Sequence, residues 1–568
     1  MTLRIRWLGR VPYREALDIQ HAIHRERNSD HLLLLEHPHV YTLGVRADME
    51  HVLVPPASVG AELVRADRGG DVTYHGPGQL VGYPVRSVAG KRGGGMADTV
   101  AYVRSVEQLV IDSLAALGLT DAGRLRDHPG VWMDPESDAP RKICAIGVKL
   151  TRGRSMHGFA LNVDPDMGFF DHIVPCGISD KAVTSIASEG VDASMRDVVD
   201  IVATLAAERW GAAGHDRADV VWRERVGDLA PFSRGAGPGD PVGREGHARP
   251  SGDGSQPVRL LGRLAEAGVG DGLDITDRKP DHVKARLRIT DDYVRVKRTM
   301  RDLDLVTVCE EAGCPNIFEC WADGTATFMV AGERCTRKCG FCLVDTRKPL
   351  PPDADEPERV AEAVERMGLA YAVITMVARD DLEDGGARHV ASTIRAIRAR
   401  NPGVGVEALI SDCKGSAAAL QQIFDARPDV LNHNIETVAR LQRAVRPSAS
   451  YARSLAVLAR AAVAGLTTKS SVIVGMGERD DEVEQTLADL AAVGVDIVTI
   501  GQYLRPTTNH LPVARWVEPA TFGSWKRIGE DLGIGHVEAS PLTRSSYHAR
   551  QAAEAADGVV VGAPVRRA

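Results

Sequence analysis

TFMVAGERCTRKCGFCLVDTRKPLPPDADEPERVAEAVERMGLAYAVITM, residues 327–376, holds one complete strand–loop–helix–strand unit. TFMV (327–330) and YAVITM (371–376) are short runs of branched and aromatic residues, which predict buried strands. Residues 356–367 between them repeat apolar side chains at helical spacing. The pattern continues through VGVEALI (404–410), DVLNHN (429–434), TKSSVIVGM (468–476) and DIVTIGQ (496–502), with helical stretches at 388–400 and 480–493. Six such units predict a parallel sheet with right-handed crossovers, curled into a partial (β/α)6 barrel. Chemistry in such barrels collects at the C-terminal strand ends, and the loop after TFMV carries three cysteines.

Those cysteines are Cys335-x3-Cys339-x2-Cys342, and a second triplet, Cys309-x4-Cys314-x5-Cys320, lies just upstream. Six of the chain's nine cysteines thus fall within 34 residues. Clustered thiols in a chain of 568 residues point to metal or redox chemistry rather than to a disulfide framework. Structural zinc is the bland alternative, but it takes four ligands, and three per group do not close a tetrahedral site. A 4Fe–4S cube held by three thiolates leaves one iron open to a substrate. Cys413 stands apart and reads as a buried small apolar residue.

Composition bounds the rest. A formal charge of −8 argues against a nucleic-acid binder, and 44% apolar residues argue against wholesale disorder. No apolar run approaches the ~20 residues that span a bilayer. The N-terminal segment is interrupted by charge and is no signal peptide, so a cytoplasmic protein without membrane partners is expected. Residues 235–257 contain 11 Gly or Pro in 23 positions and predict a flexible linker. It separates a first domain, 1–234, from a second, 258–568. In the first, HLLLLEH (31–37), ICAIGVKL (143–150) and HGFALNV (157–163) predict strands, and 98–117 predicts a helix capped by Asp98. The mixture implies an α+β domain.

The paired triplets carry a resemblance. Cys335-x3-Cys339-x2-Cys342 resembles the radical S-adenosylmethionine signature, and TVCEEAGCPNIFECW is similar to the auxiliary-cluster motif of the lipoyl synthase family. The likeness extends through ARDDLEDGGA (378–387), NHNIETV (432–438), VRPSASYARSL (445–455), TIGQYLRPT (499–507) and HLPV (510–513) to RSSYHA (544–549), covering about residues 277–550. It implies two 4Fe–4S clusters and S-adenosylmethionine as cofactors. Cys335, Cys339 and Cys342 would hold the radical-generating cluster. Cys309, Cys314 and Cys320 would hold the auxiliary one, with Ser546 as its fourth ligand and Ser545 as the neighbouring choice. A 5′-deoxyadenosyl radical would abstract hydrogen from C6 and C8 of a protein-bound octanoyl chain, and the auxiliary cluster would donate sulfur at each carbon. Ser411 and Cys413 in ISDCKG (410–415), Ser471 in TKSSVIVGMGE and Met376 depart from the family pattern; none removes a cluster ligand.

In the first domain, RGGDVTYHGPGQLVGYP (68–84) places four glycines around His75, where backbone can approach a ligand closely. The alternative is a Gly-rich hairpin with one surface histidine; no P-loop is present. Lys142 opens a strand, and Cys176 sits in IVPCGI. A thiolate exchanges thioesters, and a nearby ammonium populates it. Taken alone, they read first as a buried inert cysteine and a solvated lysine. Together these motifs resemble the octanoyltransferase family, over about residues 1–215, with a fold shared with lipoate and biotin protein ligases. The resemblance implies Cys176 as acyl-accepting nucleophile and Lys142 as its tuning residue. It also implies an acyl pocket lined by Arg68, Gly69, Gly70, Asp71, Val72, Thr73, Tyr74 and His75, by Ala145, Ile146 and Gly147, and by Gly158, Phe159 and Ala160. Cys144 is expected to be packing.

The two resemblances are consecutive steps on one tethered acyl chain. They imply octanoyl-acyl carrier protein as donor, and as acceptors the lipoyl domains of 2-oxoacid dehydrogenase complexes and the glycine cleavage H protein. The second step needs a reduced ferredoxin- or flavodoxin-type electron donor. RLRITDDYVRVKRTMR (286–301) is a docking candidate or a solvated helix face. The competing possibilities are an ATP-dependent ligase in the first half and another radical sulfur-inserting enzyme, or a simple electron carrier, in the second.

Overall fold

The computed structural model describes residues 1–90, 97–175, 181–222, 258–270, 272–284, 291–307, 316–322 and 325–557. The predicted linker, 235–257, lies outside them. The chain divides into two compact units, the first spanning Met1–Val220.

The first unit is built on a nine-stranded mixed sheet. Its elements are β1 (Leu3–Arg10), α1 (Tyr13–Glu26), β2 (Asp30–Glu36), β3 (Val40–Leu43), β4 (Glu62–Arg65), β5 (Val72–His75), β6 (Gln79–Val85), α2 (Thr99–Ala116), β7 (Ala122–Leu125), β8 (His128–Met133), β9 (Arg141–Thr151), β10 (Arg154–Asn162), β11 (Ala182–Val183), α3 (Met195–Trp210) and β12 (His215–Asp219). The main path runs β12-β1-β2-β6-β10-β9-β8-β7, with β11 on β9, while β4-β3-β5 form a separate small sheet. Asp98 caps α2 as expected, its carboxylate accepting from the Ala101 N–H. Ser194 and Asp197 form a reciprocal capping box on α3. The unit is therefore the expected α+β domain.

The second unit carries the barrel. It comprises α4 (Val258–Glu266), α5 (Asp291–Asp302), β13 (Val306–Thr307), α6 (Ile317–Ala322), β14 (Thr325–Val330), α7 (Glu356–Met367), β15 (Tyr371–Met376), α8 (Ala387–Arg400), β16 (Gly405–Leu409), α9 (Ala417–Asp425), β17 (Val430–Asn432), α10 (Gln442–Val445), α11 (Tyr451–Val463), β18 (Thr467–Val474), α12 (Asp480–Ala492), β19 (Ile497–Gln502), α13 (Pro519–Asp531), β20 (His536–Ala539) and α14 (Ala549–Asp557). All six predicted strands lie side by side and parallel. Two short strands escaped the sequence pattern: β20 continues the parallel sheet, and β13 pairs antiparallel with β14 at the other edge. The sheet's two ends do not pair, so the barrel stays open. Helix α7 shows why these units fold locally: Pro357 sits in its first turn beside Glu356 and Glu358, and Gly368 closes it at φ 63.

Alternation sorts the strand residues. Phe328, Val330, Ala372, Ile374, Val406, Ala408 and Leu431 pack outward with α7, α8 and α9. Tyr371, Val373, Val430 and Ile497 face the lumen and meet Ala549, Ala552 and Ala553 of α14. Most of these lumen residues open their strands, so α14 plugs the N-terminal end of the barrel; its alanine face is what lets a helix fit there. Above this plug Lys469 Nζ lies 3.0 Å from Glu407 Oε2, both side chains 0% exposed. Asn432 Nδ2 donates to the other carboxylate oxygen at 2.8 Å. Among the described residues, no helix is long and apolar enough to cross a membrane.

Candidate active sites

In the first unit the three predicted pocket segments meet. On the β9–β10 ladder Gly147 faces Gly158, Ile146 faces Phe159 and Ala145 faces Ala160. The 68–70 loop lies on the same strand: Gly69 N donates to Val148 O at 3.1 Å. A Cβ at Gly147 would stand 3.0 Å from Gly69 O, so any larger residue would have to push the 68–70 loop back by a few tenths of an ångström. Gly70, at φ 96, turns the chain there. Arg68 does not reach outward; its Nη2 donates to Thr42 O at 2.7 Å. Asp71 Oδ2 pairs with His51 Nδ1 at 2.6 Å. Val72, Thr73, Tyr74 and His75 form β5, on β3. Tyr74 OH meets His39 Nδ1 at 2.8 Å. The Phe159 ring is buried over Gly82.

His75 is buried, not a surface histidine. Its Nδ1 bonds Gln79 Oε1 at 2.7 Å, Gln79 Nε2 donates to Asn162 Oδ1 at 2.9 Å, and Asn162 Nδ2 donates to Thr184 O at 2.9 Å. Lys142 is buried too; its Nζ lies 4.7 Å from the centre of the Trp132 ring, which directs the long side chain. Cys176 lies outside the described residues, but the chain following it is tied to Lys142: Val183 pairs with Lys142, and Thr184 N donates to Lys142 O at 2.9 Å. Cys144 is fully buried, and desolvation pushes its thiol far up, as a packing residue requires.

Three buried histidines in this unit are held neutral. Burial brings His37 down to about 4 and lowers His31 and His75 well below the ordinary value. The sign follows: the unfolded chain binds more protons once pH falls below about 6.5, so this contribution is complete above that value and is lost as pH drops toward about 4. For His37 alone the loss between pH 7 and 5 amounts to about 2 kcal/mol. Hydrogen exchange of the full chain, read at residues 1–220, should show protection falling over this range. Protection unchanged between pH 7 and 5 would contradict the buried-neutral assignment.

In the second unit the segments that follow β15, β16, β17 and β19 grip the cysteine loop after β14. Thr336 N donates to Ala378 O after β15 (2.9 Å), and Gly340 N to Val445 O at the end of α10 (2.8 Å). Leu511 N, after β19, donates to Gly340 O (2.9 Å), and His510 Nε2 meets Cys342 O (3.0 Å). Arg337 binds both oxygens of Asp380 at 2.7 and 2.8 Å, and Asp412 Oδ1 at 2.6 Å. Such a charge-assisted fork orients a loop rigidly. Burial, then repulsion from Cys339 and Cys335, pushes the Cys342 thiol up to about 12, and burial also raises Cys339. A bound cation would offset the cost of ionising Cys339 and Cys342 in this buried loop, so the thiol donor set fits an iron–sulfur cluster. Among the described residues no three His, Cys, Asp or Glu side chains are already placed to hold a metal ion. Buried polar atoms without partners, Asn434 Oδ1 and Thr437 Oγ1, follow β17 on the same rim and suit a polar co-substrate.

Of the auxiliary triplet, Cys309 and Cys314 lie outside the described residues, and Cys320 is half-buried on α6. Asn316, four residues before Cys320, donates from Nδ2 to Leu542 O at 2.7 Å. That bond spans 226 positions and brings the triplet's segment to the chain just before Ser545 and Ser546, both half-buried. The approach is close: a Cβ at Gly501 of β19 would stand 2.0 Å from Thr543 O. Cys413 is buried, its thiol pushed up to about 12 by desolvation.

Sequence reasoning missed Asp67, Gln79, Asn162 and Arg337. Each is adjacent to, or inside, a motif already singled out, but apart from the local His75–Gln79 bond their partners are distant in sequence.

Comparison with known proteins gives concordant matches. The lipoyl protein ligase A/B catalytic domain matches residues 12–206, the radical SAM superfamily 329–490, and the N-terminal domain of lipoyl synthase of the radical SAM family 271–314. Lipoyl synthase of Mycobacterium leprae (strain Br4923) is 52% identical over 306 residues, 54% of this chain and 98% of that protein. Lipoyl synthase of Kineococcus radiotolerans is 52% identical over 297 residues, 52% of this chain and 87% of that protein. Among solved structures, the bipartite lipoate protein ligase of Thermoplasma acidophilum, described with its E2 lipoyl domain, is 21% identical and covers 39% of this chain and 88% of its own, with a TM-score of 0.32.

Proposed function

The chain belongs to the lipoyl synthase family through its second unit and carries a lipoyl protein ligase A/B catalytic domain in its first, and from that premise we propose that it builds protein-bound lipoyl groups in two steps. In the first, the Cys176 thiolate attacks the thioester carbonyl of octanoyl-acyl carrier protein and releases the carrier thiol. A lysine amine of a lipoyl domain then attacks the Cys176 thioester, forming an amide and regenerating the thiol. Lys142 tunes Cys176, and the segments 68–75, 145–147 and 158–160 hold the acyl chain.

In the second step two sulfur atoms enter that chain at C6 and C8. Cys335, Cys339 and Cys342 would hold one 4Fe–4S cluster, and Cys309, Cys314, Cys320 and Ser546 another. When bound, these clusters supply the electron that cleaves S-adenosylmethionine and the sulfur that is inserted. Arg337, gripped by Asp380 and Asp412, holds the thiol loop against the strand ends. The lumen below is closed by α14, which excludes water from that side.

The observation that carries the reading is the meeting of segments 145–147 and 158–160 on the β9–β10 ladder with the 68–70 loop, which hydrogen-bonds to β9 at Val148, on the strand that also carries Lys142. The test is reconstitution. The anaerobically loaded chain, given octanoyl-acyl carrier protein and an unmodified lipoyl domain without ATP, should octanoylate that domain. Adding S-adenosylmethionine and reduced flavodoxin should yield lipoyl domain and 5′-deoxyadenosine. A strict requirement for ATP and free acid would make the first unit a ligase. No 5′-deoxyadenosine would remove the radical step.

A further inference from the structure

One carboxylate outside the pocket segments touches the neighbour of each. Asp67 immediately precedes Arg68. Its Oδ1 accepts from His157 Nε2 at 2.6 Å, and His157 immediately precedes Gly158. Its Oδ2 accepts from Lys149 Nζ at 2.5 Å, and Lys149 lies two residues past Gly147. We propose that Asp67 is a positioning residue that sets the relative placement of the three acyl-pocket segments, acting through His157 and Lys149. The proposal rests on reading that pocket as the acyl site.

His157 is what makes the link demanding. It sits mid-strand on β10 with φ 58, a left-handed conformation uncommon for any residue with a side chain and out of place inside a strand. The β6–β10 pairing runs from Phe159 to Asn162 on β10, so His157 lies beyond it. Its N–H donates instead to Gln20 Oε1 of α1 at 2.8 Å. At the next residue a Cβ would meet Gly82 O at 2.1 Å and Pro84 Cδ at 2.6 Å, so the backbone of Gly158 is pressed onto β6. The ring of His157 is 1% exposed, and its Nδ1 has no partner. An ionised Asp67 can only accept, so Nε2 carries the proton and donates. The hydrogen bond from His157, and after it that from Lys149, holds the Asp67 carboxyl far below the usual range. The ring therefore has one strong anchor, and rotation of the kink would break it. In the proposed pocket the spacing of these backbones sets the room for the acyl chain, so a lost anchor should weaken discrimination by chain length.

The test uses the full chain and three acyl carrier protein donors, hexanoyl, octanoyl and decanoyl, with transfer to a lipoyl domain as readout. Asp67→Asn removes the charge. His157→Asn tolerates the left-handed backbone but loses the reach to Asp67. Each is expected to cut the octanoyl preference over decanoyl by about tenfold, raising KM more than it lowers kcat. The double variant should be no worse than either single one, as a shared link requires. Unchanged chain-length preference in both single variants with normal melting overturns the proposal, as does failure of both to fold, which would make the pair purely structural. A wild-type chain that transfers no acyl group from any donor instead overturns the acyl-site reading itself.

Discussion

Cys176→Ser is expected to abolish octanoyl transfer, lowering its rate by about three orders of magnitude or more, while sulfur insertion into an already octanoylated lipoyl domain proceeds unchanged. A serine hydroxyl at neutral pH offers almost no anion, and removing a nucleophile removes the covalent path rather than weakening it. The flanking chain explains why the loss should be local. Val174 N donates to His51 O at 2.8 Å, and Thr184 N to Lys142 O at 2.9 Å. These backbone bonds do not involve the thiol. The measurement is intact-mass analysis of the lipoyl domain after incubation with octanoyl-acyl carrier protein. Transfer at near wild-type rate by the serine variant would eliminate the thioester path and favour an ATP-dependent reaction.

Cys339→Ser is the counterpart in the second unit. Iron per reconstituted chain is expected to fall from about eight to about four, and 5′-deoxyadenosine formation to background, with octanoyl transfer retained. Cys339 lies between Cys335 and Cys342 in a loop held at Thr336, Arg337 and Gly340 by the segments that follow β15, β16, β17 and β19. The loop should therefore keep its path when one thiol is lost, and the effect should be on ligation alone. Loss of all iron would mean that the two triplets share one site. Unchanged iron would mean that Cys339 is no ligand.

The two variants also separate the halves. Each should silence one step and spare the other, because the residues they alter belong to different compact units.

Much of the barrel was legible because its signal is local. A buried strand of five or six branched residues followed by an amphipathic helix announces itself within 20 residues, and all six predicted units are present. The short strands β13 and β20 were not legible: two and four residues carry too little periodicity. The lumen role of α14 was hidden for another reason. Ala549, Ala552 and Ala553 look like an ordinary small-residue helix face until strand alternation shows which side chains line the interior.

The cysteine triplets and the glycines of 68–78 stood out by spacing, since a cluster or a close backbone approach demands those residue types at short range, whereas Cys176 and Lys142 were singled out only through the family resemblance. What only folding decided is which distant groups complete them. Asn316 meets Leu542, Arg337 meets Asp412, and Asp67 meets His157 and Lys149 across separations of 75 to 226 residues. A hydrogen bond between two side chains leaves no periodic trace along the chain, because its geometry is set by the packing of whole elements and not by the residues beside it.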